Sequence, residues 1–200
     1  MAELTLKDIR RVNPLPNIAL IGKARSGKDT IAQRLITTRQ YTRVAFADPL
    51  KELALSVGPV VDNGNAGYQF QFARLSEVVN AVGWERAKDE YPEVRRFLQA
   101  LGQSVRELDE SFWLNIASRK IATAAGWNLP VVVTDVRYRN EADALRAAGF
   151  KMVRVLRKGV PDVGGAHASE TELDDYPTDA LVCNFGSLDA LYQRVDALTA

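Results

Sequence analysis

Cysteine and histidine are nearly missing from this chain of 200 residues: Cys183 and His167 are the only ones of their kind. One cysteine excludes an internal disulfide, and one of each leaves no Cys/His set for structural zinc. A surplus of charge is missing too. Lysine and arginine total 26 against 25 aspartates and glutamates, a net charge of +1, so the overall balance does not favour a nucleic-acid or membrane surface, and only local patches stay open. No apolar run reaches the roughly eighteen residues that cross a bilayer. The amino terminus, Met1-Ala2-Glu3-Leu4, lacks a signal-peptide core. Neither an internal repeat nor a low-complexity segment is found. These absences predict a soluble protein of a reducing cytoplasm, and a chain that is 46% hydrophobic suits one globular domain with room for an inserted subdomain.

What is present centres on one stretch. Ile18-Ala19-Leu20-Ile21 is a run of four apolar residues, as in a strand buried on both faces. Gly22-Lys23-Ala24-Arg25-Ser26-Gly27-Lys28-Asp29-Thr30 follows, and Ile31, Ala32, Leu35 and Ile36 then take up helical spacing. A glycine loop between strand and helix aims backbone N–H groups at one point beside the positive end of the helix, which suits phosphate. Gly22, Lys23, Ser26, Gly27, Lys28, Asp29 and Thr30 are therefore the candidate phosphate-binding residues, with Lys28 a point charge for the β- and γ-phosphates. The pattern G-x-x-x-x-G-K-[ST] holds up to Lys28. Asp29 then stands where a Mg²⁺-holding hydroxyl belongs, and Thr30 comes one position later, a G-K-x-T ending similar to that of nucleoside monophosphate kinases. The competing reading is a glycine turn whose Asp29 only complements the helix dipole.

Along the chain, residues 1–16 read as a peripheral arm ended by Pro14 and Pro16, and residues 17–200 as the domain. Strands are expected at 17–21, 41–46, 130–135, 151–156 and 180–183. Helices are expected at 28–38, from Asp48-Pro49 onward, at 75–82 with Gly83-Trp84 ending it, and at 94–105 and 112–125 with Gly102 and Asp109 as punctuation. Further helices are expected at 140–148, capped by Asn140, and at 188–198. Residues 57–92 read as an irregular insertion and a natural acceptor-binding lobe. Residues 157–175, with Gly164, Gly165 and His167, read as a lid-like segment able to exclude water. Strands alternating with helices predict an α/β, three-layer fold with a five-stranded parallel sheet and helices on both faces.

Chemistry-bearing residues collect where strands of such a sheet end. Asp135 ends a β-branched run and is a candidate to position Mg²⁺; the plainer alternative is a turn-starting surface carboxylate. Arg137 follows two residues later. Phosphoryl transfer calls for cations more than for a strong base, so Arg106, Arg137 and Arg157 join Lys28 as candidates, each of which can equally be a solvated surface charge. Lys51 is a candidate for an acceptor phosphate and Asp48 for orienting or deprotonating the attacking group; a helix cap and a surface charge are the alternatives. Trp113 is a candidate to stack on a base, although its spacing with Phe112 and Ile116 favours a core position.

Taken together, Gly22 to Thr30, Phe46-Ala47-Asp48-Pro49-Leu50-Lys51, Leu98-Gln99-Ala100-Leu101-Gly102 with Arg106 and Trp113, Thr134-Asp135-Val136-Arg137-Tyr138-Arg139-Asn140-Glu141, His167-Ala168-Ser169-Glu170 and Asn184-Phe185-Gly186-Ser187 resemble the deoxynucleoside monophosphate kinases of tailed bacteriophages. The resemblance runs over about residues 17–198 and implies the P-loop kinase fold, ATP and Mg²⁺ as cofactors, and a deoxynucleoside monophosphate as acceptor. It also implies host cytoplasm if the chain is phage-encoded. On that view Lys23 to Thr30 hold the donor phosphates, Asp48, Lys51 and Arg106 face the acceptor, Arg137 steadies transferred charge and Asn184 lies near the donor adenine. The family includes dimers. Animal-type phosphomevalonate kinases share a similar loop and Asp-x-Arg. Some phage relatives are expected to phosphorylate a hydroxymethylated pyrimidine in DNA, for which Arg95, Arg96, Arg137 and Arg139 would form a basic groove. A non-catalytic ATP sensor is the remaining alternative.

Overall fold

The computed structural model describes residues 14–62, 72–159 and 168–200. Most of the peripheral arm, the glycine-rich part of the expected insertion, and His167 with Gly164 and Gly165 therefore lie outside the described residues. In chain order the elements are β1 (Ile18–Ile21), α1 (Lys28–Arg39), β2 (Thr42–Val44), α2 (Ala47–Val57), β3 (Val60–Asp62), β4 (Phe72–Arg74), α3 (Leu75–Glu90) and α4 (Pro92–Leu108). They continue with α5 (Phe112–Gly126), β5 (Val131–Val136), α6 (Arg139–Ala147), β6 (Lys151–Leu156), α7 (Ala168–Thr171), β7 (Ala180–Cys183) and α8 (Leu188–Asp196). The chain divides into two compact units, Met1–Phe46 with Leu114–Ala200, and Ala47–Trp113. Among the described residues no helix is long and apolar enough to cross a membrane.

The first unit carries the sheet, ordered β2-β5-β1-β6-β7 with every pairing parallel. Its central strand is buried over all four residues. Ile18 and Leu20 join Ile31 and Leu35 of α1 and Leu191 and Val195 of α8 in one apolar cluster. Ala19, Val131, Val133 and Met152, of opposite parity, are as fully buried, and α6 packs on β6. Burying each large aliphatic side chain contributes about 1.5–3 kcal/mol, so a run with no polar position suits a strand covered on both faces and no other place in this fold. All five strands being parallel, their carboxyl ends share one edge of the sheet. The glycine loop after β1, Asp135 in the last turn of β5, Arg137 just beyond it, Arg157 after β6 and Asn184 after β7 all arise there.

Local details depart from expectation. The second strand spans three residues, Thr42–Val44; Tyr41 before it donates its hydroxyl to Pro16 O at 2.6 Å, and Phe46 beyond it donates its N–H to the Asp135 side chain. Asn140 does not cap α6. The helix begins at Arg139, and the buried Glu141 carboxylate reaches back to accept the N–H groups of Arg137 (3.0 Å) and Tyr138 (3.2 Å). Gln40, in the left-handed region at φ 59°, closes α1.

The second unit is helical around Ala54, Val61, Leu75, Val78, Ala87, Val94 and Leu98. β3 and β4 pair antiparallel, Val61 opposite Ala73, and Asp62 N–H donates to Glu93 Oε2 at 2.7 Å. Gly83 does interrupt α3, at φ 77° and ψ 165°, but the helix resumes and continues to Glu90. α4 starts at Pro92 and runs through Gly102 without a break. The glycine there is explained by Leu50: a Cβ on Gly102 would lie 3.2 Å from its Cδ2. Asp109 does mark a turn, its Oδ1 accepting Ser111 N–H at 2.8 Å.

Candidate functional site

The loop between β1 and α1 is shaped by two glycines at which a Cβ would meet close neighbours. At Gly22 (φ 156°) a Cβ would fall 2.5 Å from Val155 O, and at Gly27 (φ 105°) 2.5 Å from Asn184 Nδ2. Ser26 N–H turns back to Lys23 O at 3.2 Å, and Ile31 N–H opens the helix with a bond to Gly27 O at 3.0 Å. Asn184 supports the loop from outside by donating Nδ2 to Ser26 O at 3.0 Å. Arg157 does so from the other flank, Nη1 to Arg25 O at 3.3 Å.

Lys28 lies folded into this loop. Its ammonium donates to Gly22 O at 2.7 Å and Lys23 O at 2.8 Å, and the residue is buried. Burial pulls its pKa down from 10.5 to about 8, with Arg137 adding to the depression and Asp29, Glu170 and Asp135 opposing it. Those four charges therefore stand around the Lys28 ammonium. Ser26 Oγ is buried and, among the described residues, has no hydrogen-bond partner. A buried hydroxyl without a partner is costly, and an arriving anion supplies what it lacks.

Two more groups complete the sheet edge. Asp135 Oδ1 accepts Phe46 N–H at 2.9 Å, tying the end of β5 to the segment just past β2. Arg137 is fixed through its main chain by Glu141, and its Nη1 donates to Ser169 O at 3.0 Å and to the Glu170 carboxylate. Lys23 donates to Glu170 O and, at 2.9 Å, to Asp174 Oδ2. Lys23, Arg137, Arg154, Glu170 and Asp174 line a recess of about 70 Å³ against Gly22. So Gly22, Lys23, Ser26, Gly27, Lys28, Asp29, Asp135, Arg137, Arg157 and Asn184 fall in one neighbourhood of the first unit, with Thr30 on the first turn of α1.

The remaining candidates belong to the second unit. Asp48 and Lys51 are half-buried on α2, with Lys51 Nζ 5.7 Å from the centre of the Trp84 ring. Arg106 on α4 keeps 9% of its side chain exposed, with Glu110 4.0 Å away. Trp113 corrects the stacking expectation. Its ring is buried against the edge of Phe112, and its indole N–H donates to Gly102 O at 3.3 Å, so it packs the unit and has no face to offer a base.

Glu170 belongs to this site as well, a residue that the sequence pattern does not single out. The signal available was the density of carboxylates from Glu170 to Asp179, opposite arginines at 137, 139, 146 and 154. Arg139 pairs with Asp175, Arg146 Nη1 with Asp179 Oδ1 at 3.4 Å, and Arg154 Nη2 donates to Leu173 O at 2.9 Å and Tyr176 O at 2.6 Å. Residues 168–175 of the expected lid are thus docked on the first unit.

The family described as "Deoxynucleotide monophosphate kinase" matches residues 57–195 of this chain. The "Deoxynucleotide monophosphate kinase" of Enterobacteria phage T4 is 28% identical over 139 residues, 67% of this chain and 54% of that protein. The "Putative deoxynucleotide monophosphate kinase" of Acanthamoeba polyphaga mimivirus is 25% identical over 188 residues, 89% of this chain and 93% of that protein. "Uncharacterized protein ORF77" of Ictalurid herpesvirus 1 (strain Auburn) is 36% identical over 112 residues, 53% of this chain and 48% of that protein. The chain thus spans about half the length of the phage and herpesvirus relatives. The family match begins after the glycine loop, which stands on its own geometry.

Proposed function

The chain belongs to the deoxynucleotide monophosphate kinase family, and from that premise we propose that it transfers the γ-phosphoryl group of ATP to the 5′-phosphate of a deoxynucleoside monophosphate. An acceptor phosphate oxygen forms the new bond to the γ-phosphorus as the bond to the leaving oxygen of ADP breaks, so the products are ADP and a deoxynucleoside diphosphate. The observation that carries this reading is the loop itself: buried Lys28 held by two carbonyls, the unpartnered Ser26 hydroxyl beside it, and Arg137 and Asp135 acting on the same ammonium.

The loop N–H groups and Lys28 bind and orient the triphosphate, and Arg137 offsets charge on the group in transit. Asn184 and Arg157 keep the loop in register while the phosphates enter. Asp48, Lys51 and Arg106 are assigned to the acceptor, Lys51 and Arg106 as cations for its phosphate and Asp48 as the group that orients it. Asp135, Asp29 and Thr30 are hard oxygen donors of the kind Mg²⁺ takes, and Mg²⁺ needs few protein ligands because it keeps waters and borrows phosphate oxygens. Mg²⁺ at these residues would supply charge neutralisation of the donor phosphates. Asp135→Asn tests this assignment cleanly. The amide oxygen can still accept Phe46 N–H, and the loss of charge is expected to raise the Mg²⁺ concentration needed for half-maximal transfer at least tenfold, with a thermal melt to check that the fold is kept.

The DNA reading draws less support. The arginines expected to form a basic groove are each engaged with a carboxylate: Arg95 with Asp89, Arg96 with Glu93, Arg137 with Glu170 and Arg139 with Asp175. The deciding experiment offers labelled ATP and Mg²⁺ with the four deoxynucleoside monophosphates, hydroxymethyl-dUMP, phosphomevalonate and duplex DNA containing hydroxymethyluracil. Label on a free deoxynucleotide is the expected outcome. Label only on DNA or phosphomevalonate, or ATP binding without any acceptor-dependent turnover, would overturn the proposal.

A further inference from the structure

Two cations at the glycine loop, Lys23 within it and Arg137 beside it, are gripped by one residue that belongs to neither the loop nor α1. Arg137 Nη1 donates to the Glu170 carboxylate and to Ser169 O, while Lys23 Nζ donates to Glu170 O. The Glu170 side chain keeps only 6% of its surface exposed, against 32% for Arg137. A buried carboxylate paired with a guanidinium is held firmly, because releasing that partner would leave its charge poorly compensated. Both contacts of the Arg137 guanidinium with described residues use Nη1, which leaves Nη2 and Nε to face elsewhere. The main chain of Arg137 is fixed in turn by Glu141 Oε2 at 3.0 Å. The arginine is therefore pinned at both ends, with one edge of its fork still available.

We propose that Glu170 is the positioning residue for Arg137, holding its guanidinium on the side of the glycine loop where a transferring phosphoryl group passes. The inference rests on the kinase reading above and deepens it. A guanidinium stabilises developing charge only if its donors already point at it, and a long arginine side chain left to itself spreads over several rotamers. Glu170 removes that freedom. The same residue's carbonyl steadies Lys23, so α7 orders two cations with a single residue, and the further anchors of Arg139, Arg146 and Arg154 on residues 173–179 hold α7 in place.

A positioning role predicts a loss of kcat with little change in KM. Glu170→Gln is expected to lower kcat roughly tenfold to a hundredfold, by analogy with losses on removing groups that orient a site, with the KM for ATP changed less than about threefold. Glu170→Asp should recover part of the loss. In an Arg137→Ala background, Glu170→Gln should cost nothing further, since the residue it positions is gone. Equal kcat for Arg137→Ala and the double variant supports the inference, and a further fall in the double variant overturns it. The double variant carries no unpaired buried charge, and where the carboxylate stranded in Arg137→Ala unfolds that chain, as a thermal melt would show, Arg137→Gln, whose amide can still donate to Glu170, takes its place in the same comparison. A wild-type chain without transfer to any acceptor overturns the kinase reading and this inference with it. An active wild type whose kcat is unmoved by Glu170→Gln overturns this inference alone.

Discussion

Main-chain atoms make the candidate phosphate site of the first unit, whereas long side chains on helices make up the candidate acceptor set of the second. In the first unit, the carbonyls of Gly22 and Lys23 accept from Lys28, and both glycines adopt conformations that a Cβ would obstruct. In the second, Asp48, Lys51 and Arg106 project from α2 and α4. A backbone site is insensitive to most substitutions and intolerant of a few, because the peptide groups are the same in every sequence. A side-chain site can be retuned residue by residue. The contrast suits the proposed transfer, in which the donor phosphates are always the same while side chains are left to select the acceptor.

The largest test of that contrast is Lys28→Met, the one side chain on which the backbone site depends. Transfer is expected to fall about a thousandfold or more, since the charge removed acts directly on the migrating group. Stability should hold or rise. The ammonium's pKa of about 8 in the folded chain lies below its ordinary 10.5. The folded state therefore disfavours the charged form, and at neutral pH that burial costs up to about 3 kcal/mol. Methionine removes this cost while leaving two carbonyls to find water, a partial offset. A melting temperature lowered by more than about 5 °C would instead make Lys28 a strut of the fold.

Next in size is the difference between the two loop glycines. Gly22→Ala drives a methyl into Val155 O, a main-chain atom of β6 that cannot step aside, and should cost about 2–4 kcal/mol. Gly27→Ala meets Asn184 Nδ2, a side chain that can rotate away, leaving mainly the strain of a positive φ at about 1–2 kcal/mol. Denaturant titration should rank them in that order. The reverse order would mean that the Asn184 strut, not the β6 backbone, limits the loop.

A smaller effect comes from pH. With Lys28 titrating near 8 in the free protein, affinity for a non-hydrolysable ATP analogue should be flat from pH 6.5 to 7.5 and decline above about 8, by at most about tenfold per unit. The sign follows from the cation: the form that binds phosphate is the protonated one, and rising pH depletes it. Folding stability runs the other way, because the cost of burying the ammonium fades between pH 8 and 10.5. Calorimetric titration across that range checks the first, and thermal melts check the second.

The same contrast decides how much was legible in the sequence. β1, β5 and β6 show as apolar or β-branched runs because both their faces are buried, and the glycine loop shows because its spacing is a backbone requirement. The second unit is less legible. β3 and β4 are three residues each, too short for alternation to register, and α3 resumes past Gly83, where Ala87 packs into the core. Asn140 yields its capping place to Glu141, whose longer side chain reaches two N–H groups at once. The pairing of Glu170 with Arg137 joins residues 33 apart and follows from no local pattern. Trp113 is the instructive middle case, since its spacing with Phe112 and Ile116 already favoured the core position it occupies.

The smallest expected effect is at Gly102, and it sharpens the contrast most directly. Like the loop glycines it looks like punctuation in the sequence, yet it lies inside α4 with no break. An added methyl would stand 3.2 Å from Leu50 Cδ2 and 3.8 Å from Cδ1, the far end of a side chain that can shift by a few tenths of an ångström. Against that contact stands the helix preference for alanine, about 1 kcal/mol. The two nearly cancel, so Gly102→Ala should leave stability within about 0.5 kcal/mol of wild type. Gly102 O also accepts the Trp113 indole N–H, a bond that a methyl leaves in place. If denaturant titration instead shows a loss as large as that of Gly22→Ala, the Leu50 contact is rigid, and the second unit is built to backbone tolerances after all. If the stability is unchanged but the KM for the acceptor rises, the small shift of Leu50 reaches Asp48 and Lys51 on the same helix, as a site made of side chains on α2 should allow.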